Sequence, residues 1–542
     1  MNQNKNLFAN LKNDLPSGLV VFLVALPLCL GISIASGATP FSGLIAGIIG
    51  GLVIGVLSNS PLSVSGPAAG LATLVAGAIT AIGGLQNYNL FLCAVVIAGL
   101  IQIALGALRL GGIANYIPGS VIKGMLTSIG ILIIAKQIPH AFGQDKDGEG
   151  HITELFPYGN EDWHELLIPI QKIEVGVAVV AILSIIIMVM WDRSLLKKKI
   201  PFIPSALVAV VAAVVINQIW IVTGSKLQIS ENSHLVNLPI AANPQEFFSF
   251  FTLPDFSGFT NGTVIMYGFI IALIASLETL LSIEAIDNLD PERRVTSTNR
   301  ELFAQGVGNS ISGLIGGLPI TSVIVRSSAN VNAGAKSKLS AIFHAALLLV
   351  SVILIPLLLN KIPLAALAAI LILTGWKLAK PAVFKGFWKA GKYQFIPFIT
   401  TVAVILAIDL FKVMPALSGK GLVIGVVAGI IAAAGAILHG NLKNSYFFHE
   451  DHHKEGDTIN VRLSEEVSFL NKASIRQTLD HLPENSSVVI DATNTKYIDF
   501  DVLEIIKEFR DIKVPLKKIR LQLVGFKEAY KIENYSNVQS VH

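Results

Sequence analysis

The sequence predicts an α-helical polytopic membrane protein, built as an inverted repeat of seven plus seven spans and followed by a small α/β domain. Three observations lead to this fold class. The mean hydropathy is +0.66, and 14% of the residues are charged, against roughly 25% in soluble domains. Fourteen apolar segments follow one another, and two of them are interrupted at corresponding places. A polar segment of about a hundred residues then ends the chain.

Apolar stretches long enough to cross a bilayer place most of the predicted spans. Two shorter segments, near 67–82 and 326–335, bring the number to fourteen. The polar start of the chain leads into the first span without a small-residue cleavage site, so no cleavable signal peptide is predicted. The other twelve spans are predicted at 16–36, 42–57, 90–109, 119–137, 173–191, 203–222, 263–287, 298–316, 339–359, 362–377, 394–413 and 420–439.

Positive residues concentrate in three connections between spans, and such connections are usually cytoplasmic. Counting spans from a cytoplasmic N-terminus puts all three inside, whereas the longer loops 138–172 and 223–262 fall outside. We therefore expect an integral, multi-pass protein of a bacterial inner (plasma) membrane with both termini in the cytoplasm. The residues concerned are Arg193, Lys197, Lys198, Lys199, Arg293, Arg294, Lys377, Lys380, Lys385, Lys389 and Lys392.

The two interrupted segments open at Ser65-Gly66-Pro67-Ala68 and at Ile324-Val325-Arg326-Ser327. A helix that begins inside the hydrocarbon layer cannot leave its first N–H groups and its positive dipole end facing lipid. An anion is the natural partner for both. A matched pair of broken helices is also the best sequence indication of a transporter's substrate site.

The spacing of the two breaks predicts an inverted repeat. They occupy similar places in two halves of about seven spans each. Because seven is odd, the second half runs through the membrane in the opposite sense, and the two short helices approach the midplane from opposite sides.

Ionisable side chains within the spans are costly and usually functional. Glu278 has Thr279 beside it and Ser282 one helical turn away, so a carboxyl and hydroxyls lie on adjoining faces of one helix. Oxygen ligands suit sodium, and a carboxyl in a low-dielectric setting can instead carry a proton. The residues alone leave both coupling ions open.

Arg326 would add a permanent positive charge at the second broken helix and attract an anion. The alternative is a structural ion pair with Glu278 or another carboxylate. His344 and Asp409 are more simply polar groups hydrogen-bonded between helices, and Asp287 lies near the cytoplasmic end of its span.

Several motifs resemble those of the sulfate permease (SulP) family of anion transporters over nearly the whole chain. They are Leu26-Pro27-Leu28, Gly37-Ala38-Thr39-Pro40, Ser65-Gly66-Pro67-Ala68-Ala69, Asn299-Arg300-Glu301-Leu302, Gln305-Gly306-Val307-Gly308-Asn309, Gly316-Gly317-Leu318-Pro319, Arg326-Ser327-Ser328-Ala329-Asn330 and Ala333-Gly334-Ala335. The resemblance implies a uracil-permease-like fold, in which a core domain carries the anion site between the third and tenth helices and moves against a gate domain. It also implies a homodimer.

The resemblance also implies which residues serve the two ions. The anion is expected among Ser65, Ala68, Ala69, Arg326 and Ser327. The coupling cation or proton is expected at the positions that correspond to a sodium site in bicarbonate carriers of the family, namely Glu278, Ser282, Ser322 and Ile324.

Three positions depart from that pattern. Ile324 stands where the sodium-coupled carriers have a Thr, and Glu278 replaces their Asp, as in members thought to couple to protons. Leu28 stands where many relatives carry a Gln, so backbone N–H groups must supply more of the anion recognition.

The C-terminal segment alternates strand and helix patterns. It resembles the STAS domain that ends most SulP proteins, with 1–440 as the transmembrane domain, 441–457 as a linker and 458–542 as the STAS-like domain. The turn Tyr497-Ile498-Asp499-Phe500-Asp501 lacks the Ser that related anti-sigma antagonists phosphorylate. Strands are expected at 460–463, 487–491 and 517–524, and helices at 471–482 and 500–511.

No cofactor, resident metal or nucleic-acid partner is predicted. Cys29 and Cys93 fall inside apolar stretches and indicate small buried side chains. The linker contains His449-Glu450-Asp451-His452-His453, which has no regular zinc-ligand spacing and is read as a solvated His-rich segment.

The favoured function is secondary active transport of a small inorganic anion, sulfate or bicarbonate, by alternating access with proton or sodium coupling. A dicarboxylate carrier is an alternative, because helix N-termini bind carboxylates as readily as oxyanions. A neutral nucleobase suits Arg326 less well. A non-transporting, anion-responsive membrane scaffold is the alternative of a different class, and no nucleophile with its base indicates an enzyme.

Overall fold

The structure, a computed structural model, describes residues 10–112, 117–143, 173–194, 203–229, 234–241, 243–411, 413–414, 417, 420–443 and 458–530. A helix lies at each of the fourteen predicted segments. They are α1 (Leu11–Ala35), α2 (Pro40–Ile49), α3 (Ala69–Ile82), α4 (Tyr88–Ala107), α5 (Gly119–Ala141), α6 (Val175–Arg193), α7 (Ser205–Val222), α8 (Gly262–Leu289), α9 (Thr298–Leu314), α10 (Ile324–Asn332), α11 (Leu339–Leu354), α12 (Leu364–Leu378), α13 (Lys392–Asp409) and α14 (Gly421–Lys443).

Length and composition place twelve of these helices in two groups, to which α9 and α10 do not belong. Within the described residues, nine helical segments are long and apolar enough to cross a membrane, and three apolar helices are shorter, namely α3, α11 and 421–437 of α14. The polytopic membrane architecture is thereby confirmed, while fourteen as the number of crossings stays a prediction.

The two broken helices are connected by a two-stranded ribbon that the sequence did not indicate. Strand β1 (Ser65–Pro67) pairs antiparallel with β2 (Ile320–Ser322), with Ser65 opposite Ser322 and Pro67 opposite Ile320. In each half one residue separates the strand from its helix, so α3 begins at Ala69 and α10 at Ile324. Antiparallel pairing of equivalent strands is the arrangement that an inverted repeat produces.

The second helix changes from α-helical to π-helical geometry where it meets this ribbon. α2 continues as a π-helical stretch, Gly50–Ile54, before a last α-helical turn, Gly55–Leu57. A Cβ at Gly50 would lie 2.3 Å from the carbonyl oxygen of Ser65. The missing side chain therefore allows β1 to pack directly on α2, and π-helical turns are frequent at functional sites of this kind.

The chain forms two compact units. The first contains Met1–Ala114, Leu126–Lys380 and Ile405–Val423, and includes both broken helices. The second contains Asn115–Met125, Pro381–Val404 and Ile424–His542. The predicted boundaries 1–440, 441–457 and 458–542 stay predictions, and nearly all of the linker lies outside the described residues.

The C-terminal α/β region has the predicted alternation. β3 (Thr458–Arg462), β5 (Ser487–Asp491) and β7 (Arg520–Val524) form a parallel sheet in the order β3-β5-β7, and β4 (Glu466–Val467) pairs with β6 (Tyr497–Ile498). Helices α15 (Lys472–His481) and α16 (Phe500–Glu508) lie at the two predicted positions. Their apolar residues share one core with the sheet, including Val488, Leu521 and Ile506.

Candidate functional site

The first break is lined by small residues and backbone. Ala68 occupies the N-cap position of α3 and supplies no side-chain acceptor to the first helical turn. By contrast, Asn261 caps α8 by accepting hydrogen bonds from the N–H groups of Thr263 and Val264. The N–H groups at the start of α3 are therefore left for partners from elsewhere in the fold.

The second break also lacks a side-chain cap, with Val323 at the N-cap position of α10. Its side chains instead tie it to the chain segment that enters β1. Ser327 Oγ accepts a hydrogen bond from Val64 N (2.9 Å) and donates to Val323 O (2.8 Å), and Asn330 Nδ2 donates to Leu62 O (3.0 Å). Both helix starts are thus held together at the ribbon.

Arg326 crosses from the second break to the first. Its side chain is fully buried, and its Nη2 donates to Pro67 O at 3.2 Å. A Cβ at Gly66 would lie 2.2 Å from Nη1, so the guanidinium occupies the space that this glycine leaves open. Nε and Nη1 have no hydrogen-bond partner among the described residues. Two buried, charged donors are therefore available to an anion at the ribbon.

Glu278 reaches the first break from α8. A Cβ at Gly70, in the first turn of α3, would lie 2.5 Å from its Oε1, and the buried Oε2 has no hydrogen-bond partner within the described part of the chain. A carboxylate at a helix N-terminus is favoured by the helix dipole. Among the described residues no ion pair joins Glu278 to Arg326. The alternative that Arg326 forms a structural ion pair with Glu278 is therefore not supported by a contact.

The other predicted coupling residues lie on three elements, Ser282 on α8, Ser322 in β2 and Ile324 on α10, and their role stays a prediction. The hydroxyl of Ser322 contacts that of Ser63 at 2.6 Å, while Ser322 N donates to Thr279 Oγ1 at 3.2 Å. Ser282 is buried in α8. Ile324 is the first residue of α10 and is 39% exposed. Thr279, the neighbour of Glu278 in the chain, thus makes a hydrogen bond between α8 and β2.

Among the predicted anion-binding residues, Ser65, Ala68 and Arg326 are buried at the ribbon and Ala69 opens α3. The hydroxyl of Ser327 is committed to the backbone groups of Val64 and Val323. Direct contact of any of these five residues with an anion stays a prediction.

The motifs of the sequence and the geometry of the two breaks agree with one known family of membrane proteins. The sequence profile of the Sulfate permease family matches residues 11–401. The chain belongs to that family.

Individual relatives in the sulfate permease family carry anion-transport names. The chain is 26% identical over 425 residues to the putative sulfate transporter YvdB of Bacillus subtilis, covering 78% of this chain and 72% of the relative. It is 29% identical over 372 residues to the bicarbonate transporter BicA of Picosynechococcus, covering 68% of this chain and 62% of the relative.

Solved structures show the same fold. The transmembrane domain of a cyanobacterial bicarbonate transporter BicA aligns with a TM-score of 0.61 and 25% identity, covering 79% of this chain and 98% of that domain. SLC26A9 aligns with a TM-score of 0.62 and 14% identity, covering 96% of this chain and 85% of that structure. The chain is accordingly a multi-pass membrane protein with the sulfate permease fold, in a family of transporters and not of enzymes.

Four buried polar residues form a stripe on α9. Glu301, Gln305, Asn309 and Ser312 are all fully buried. Asn309 accepts from Ile320 N (2.6 Å) and donates to Ile320 O (3.1 Å), while Gln305 Nε2 donates to Ser65 Oγ (2.8 Å). α9 therefore holds both strands of the ribbon. The spacing of four, four and three residues along the stripe, which keeps the polar side chains on one helix face, is the sequence signal that could have identified it.

Three other ionisable residues have local roles. Asp287 accepts from the N–H and the hydroxyl of Thr296, both at 2.6 Å, and Asp409 accepts from Gly421 N at 3.1 Å. His344 is fully buried, with Nδ1 2.5 Å from Ala341 O. The contact of Asp409 joins α13 to α14, as predicted. The hydrogen bond of His344, which was predicted between helices, lies within α11 instead.

The turn before α16 contacts other segments of the second unit. Asp499 caps α16 by accepting from Asp501 N, Asp501 accepts from Gly119 N at 3.0 Å, and Tyr497 Oη accepts from Gln394 Nε2 at 2.5 Å. Burial, followed by the neighbouring Asp501 charge, raises the pKa of Asp499. The predicted His-rich stretch 449–453 lies outside the described residues.

Proposed function

We propose that the protein is a secondary active carrier that moves a small inorganic anion, sulfate or bicarbonate, by alternating access. The observation that carries the proposal is the convergence of two uncapped helix starts on one ribbon beside Arg326, whose Nε and Nη1 have no hydrogen-bond partner among the described residues. Helix N-termini and a buried guanidinium both favour negative charge. The sulfate and bicarbonate names of the relatives support this substrate class.

We further propose that Glu278 is the coupling group and that it carries a proton in preference to binding sodium. A sodium site needs several oxygen ligands that point to one centre. Here the Glu278 carboxyl packs on Gly70, the Ser322 hydroxyl contacts Ser63, and Ile324 offers no side-chain oxygen. The Glu278 carboxyl, with one oxygen that has no partner among the described residues, is better suited to exchanging a proton than to binding sodium.

Uptake into proteoliposomes tests both parts of the proposal. Labelled sulfate and bicarbonate are offered separately, with a proton gradient or a sodium gradient imposed one at a time. We expect one anion to accumulate under the proton gradient. Failure of every anion tried, dicarboxylates included, under either gradient would exclude the carrier function and favour the scaffold.

The Glu278→Gln variant tests the coupling role. The amide cannot exchange a proton, so we expect gradient-driven accumulation to disappear while the anion still equilibrates down its own gradient. Glu284→Gln, the same substitution on α8, serves as the matched control and should retain wild-type accumulation. Gradient-driven uptake by Glu278→Gln at the wild-type level would contradict the assignment of Glu278.

The proposal also includes the oligomeric state of the protein and its orientation in the membrane. We expect a homodimer in a bacterial inner membrane with both termini cytoplasmic. Cross-linking in native membranes and protease access to the C-terminal domain in inverted vesicles measure these two properties directly.

A further inference from the structure

The stripe on α9 contains a chain of hydrogen bonds that ends at the anion site proposed above. Ser58 Oγ donates to Glu301 Oε2, Gln305 Nε2 donates to Glu301 Oε1 at 3.0 Å, and the same Nε2 donates to Ser65 Oγ at 2.8 Å. Glu301, Gln305 and Ser65 are at most 4% exposed. This series of hydrogen bonds therefore runs through the interior of the first unit.

The identity of the atoms fixes the direction of these bonds. The amide nitrogen of Gln305 is a donor only, whereas its oxygen is an acceptor only. If the amide were turned over, its oxygen would face a carboxylate oxygen of Glu301 at hydrogen-bond distance, and two acceptors repel each other. A carboxylate at Glu301 therefore keeps the Gln305 nitrogen directed at both Glu301 and Ser65.

Polar groups and one cation lie close to the Glu301 carboxyl. Ser58 offers its hydroxyl proton to the carboxylate, and the Lys338 ammonium donates to the carbonyl oxygen of Ser58 and, at 3.3 Å, to that of Val56. A cation thus lies one residue away from the buried carboxylate. Asp287 and Arg300 are the other charged groups near this end of α9.

The orientation of the Gln305 amide determines how the Ser65 hydroxyl can form hydrogen bonds. Because its oxygen accepts a hydrogen from Gln305, its own hydroxyl proton is left for another acceptor. Among the described residues Ser65 Oγ makes this one hydrogen bond. Ser65 lies in β1 next to Gly66, against which the Arg326 guanidinium packs.

We infer that Glu301 and Gln305 are positioning residues, which set the Ser65 hydroxyl as a hydrogen-bond donor to the transported anion. The inference rests on the proposed anion site and extends it by assigning a buried carboxylate a part in binding an anion. Glu301 acts through Gln305 and touches no substrate itself.

A cycle of substitutions measured as KM and kcat for anion uptake tests this. We expect Ser65→Ala to raise KM roughly tenfold, as the loss of one hydrogen bond to a charged group would do, with kcat nearly unchanged. Glu301→Gln is close to isosteric and removes the carboxylate that orients the amide, so KM should rise in the same direction. The two effects should be non-additive, because both remove the same donor.

The exchanged pair Glu301→Gln with Gln305→Glu gives the sharpest comparison, because it keeps the atoms and the net charge but reverses the polarity. The carboxylate at position 305 would accept the Ser65 proton, so adding Ser65→Ala in this background should leave KM unchanged. Size-exclusion profiles and Tm values check that each variant folds.

Two results would overturn the inference while leaving the carrier function intact: a wild-type KM in Ser65→Ala, or a further rise in KM when Ser65→Ala is added to the exchanged pair. Additive effects of Ser65→Ala and Glu301→Gln would overturn it as well. Failure of the proposed function would be seen already in the wild type, as absence of anion uptake.

Discussion

The two breaks share a backbone plan and differ in chemistry. Each has a three-residue strand, one intervening residue and an uncapped helix. The first is made of small residues from Ser65 to Gly70, and it receives a guanidinium from α10 and a carboxyl from α8. The second supplies Arg326, Ser327 and Asn330, all of which reach the backbone of the first half. The repeat thus preserves geometry, while one half provides space and the other provides charge.

The largest expected effect comes from removing the charge that the second break supplies. Arg326→Gln should lower kcat/KM for anion uptake by about 30-fold or more, because truncating one member of a buried charge contact costs about 2–5 kcal/mol. Arg326→Lys should recover only part of the loss, since an ammonium lacks the planar fork of donors.

Arg462→Gln is the matched control, because its side chain is 85% exposed and 4.0 Å from Asp491, where an ion pair contributes little. Wild-type uptake by Arg326→Gln would show that transport does not depend on the charge that the second break supplies.

A smaller effect is expected from filling the space that the first break provides. The methyl group of Gly66→Ala would lie 2.2 Å from Arg326 Nη1 and must displace the guanidinium. We expect uptake to fall about tenfold, corresponding to roughly 1.4 kcal/mol, with protein yield retained. Gly262→Ala, where a Cβ meets nothing within 4 Å, should leave uptake unchanged. Equal uptake by the two variants would show that transport does not require the space that Gly66 leaves for the Arg326 guanidinium.

The smallest effect on transport is expected at Ser327. Ser327→Ala leaves the N–H of Val64 without its side-chain acceptor, at a cost of about 1–3 kcal/mol for a buried donor. Thermal unfolding should therefore show a lower Tm than for Ser328→Ala, while KM stays at the wild-type value. A raised KM with an unchanged Tm would instead place the Ser327 hydroxyl at the anion.

Hydropathy and breaks in helical pattern were sufficient to predict the helices and the inverted repeat. They placed both broken segments within two residues of their observed starts, Ala69 and Ile324. The alternation of strand and helix patterns in the C-terminal segment likewise predicted β5 at Ser487–Asp491. These signals are local, because a span or a strand is specified mainly by its own residues.

The ribbon and the side-chain partners depend on contacts between distant parts of the chain. No local pattern indicates that β1 pairs with β2 or that Arg326 donates to Pro67 O, 259 positions away. The same limit explains Glu278, since its contact with Gly70 follows from how α8 packs on α3. The hydrogen bonds of the α9 stripe to β1 and β2 likewise join residues that no local pattern relates.

The ribbon also bears on how the protein is made. Val64 and its acceptor Ser327 are 263 positions apart, so at about 5–20 residues per second the ribosome needs roughly 13–50 s to deliver the second after the first. During that interval β1 lies among apolar segments without the strand that satisfies its backbone, a situation that hydrocarbon penalises. The hydrogen bonds of β1 are therefore completed only after β2 and the start of α10 have been made.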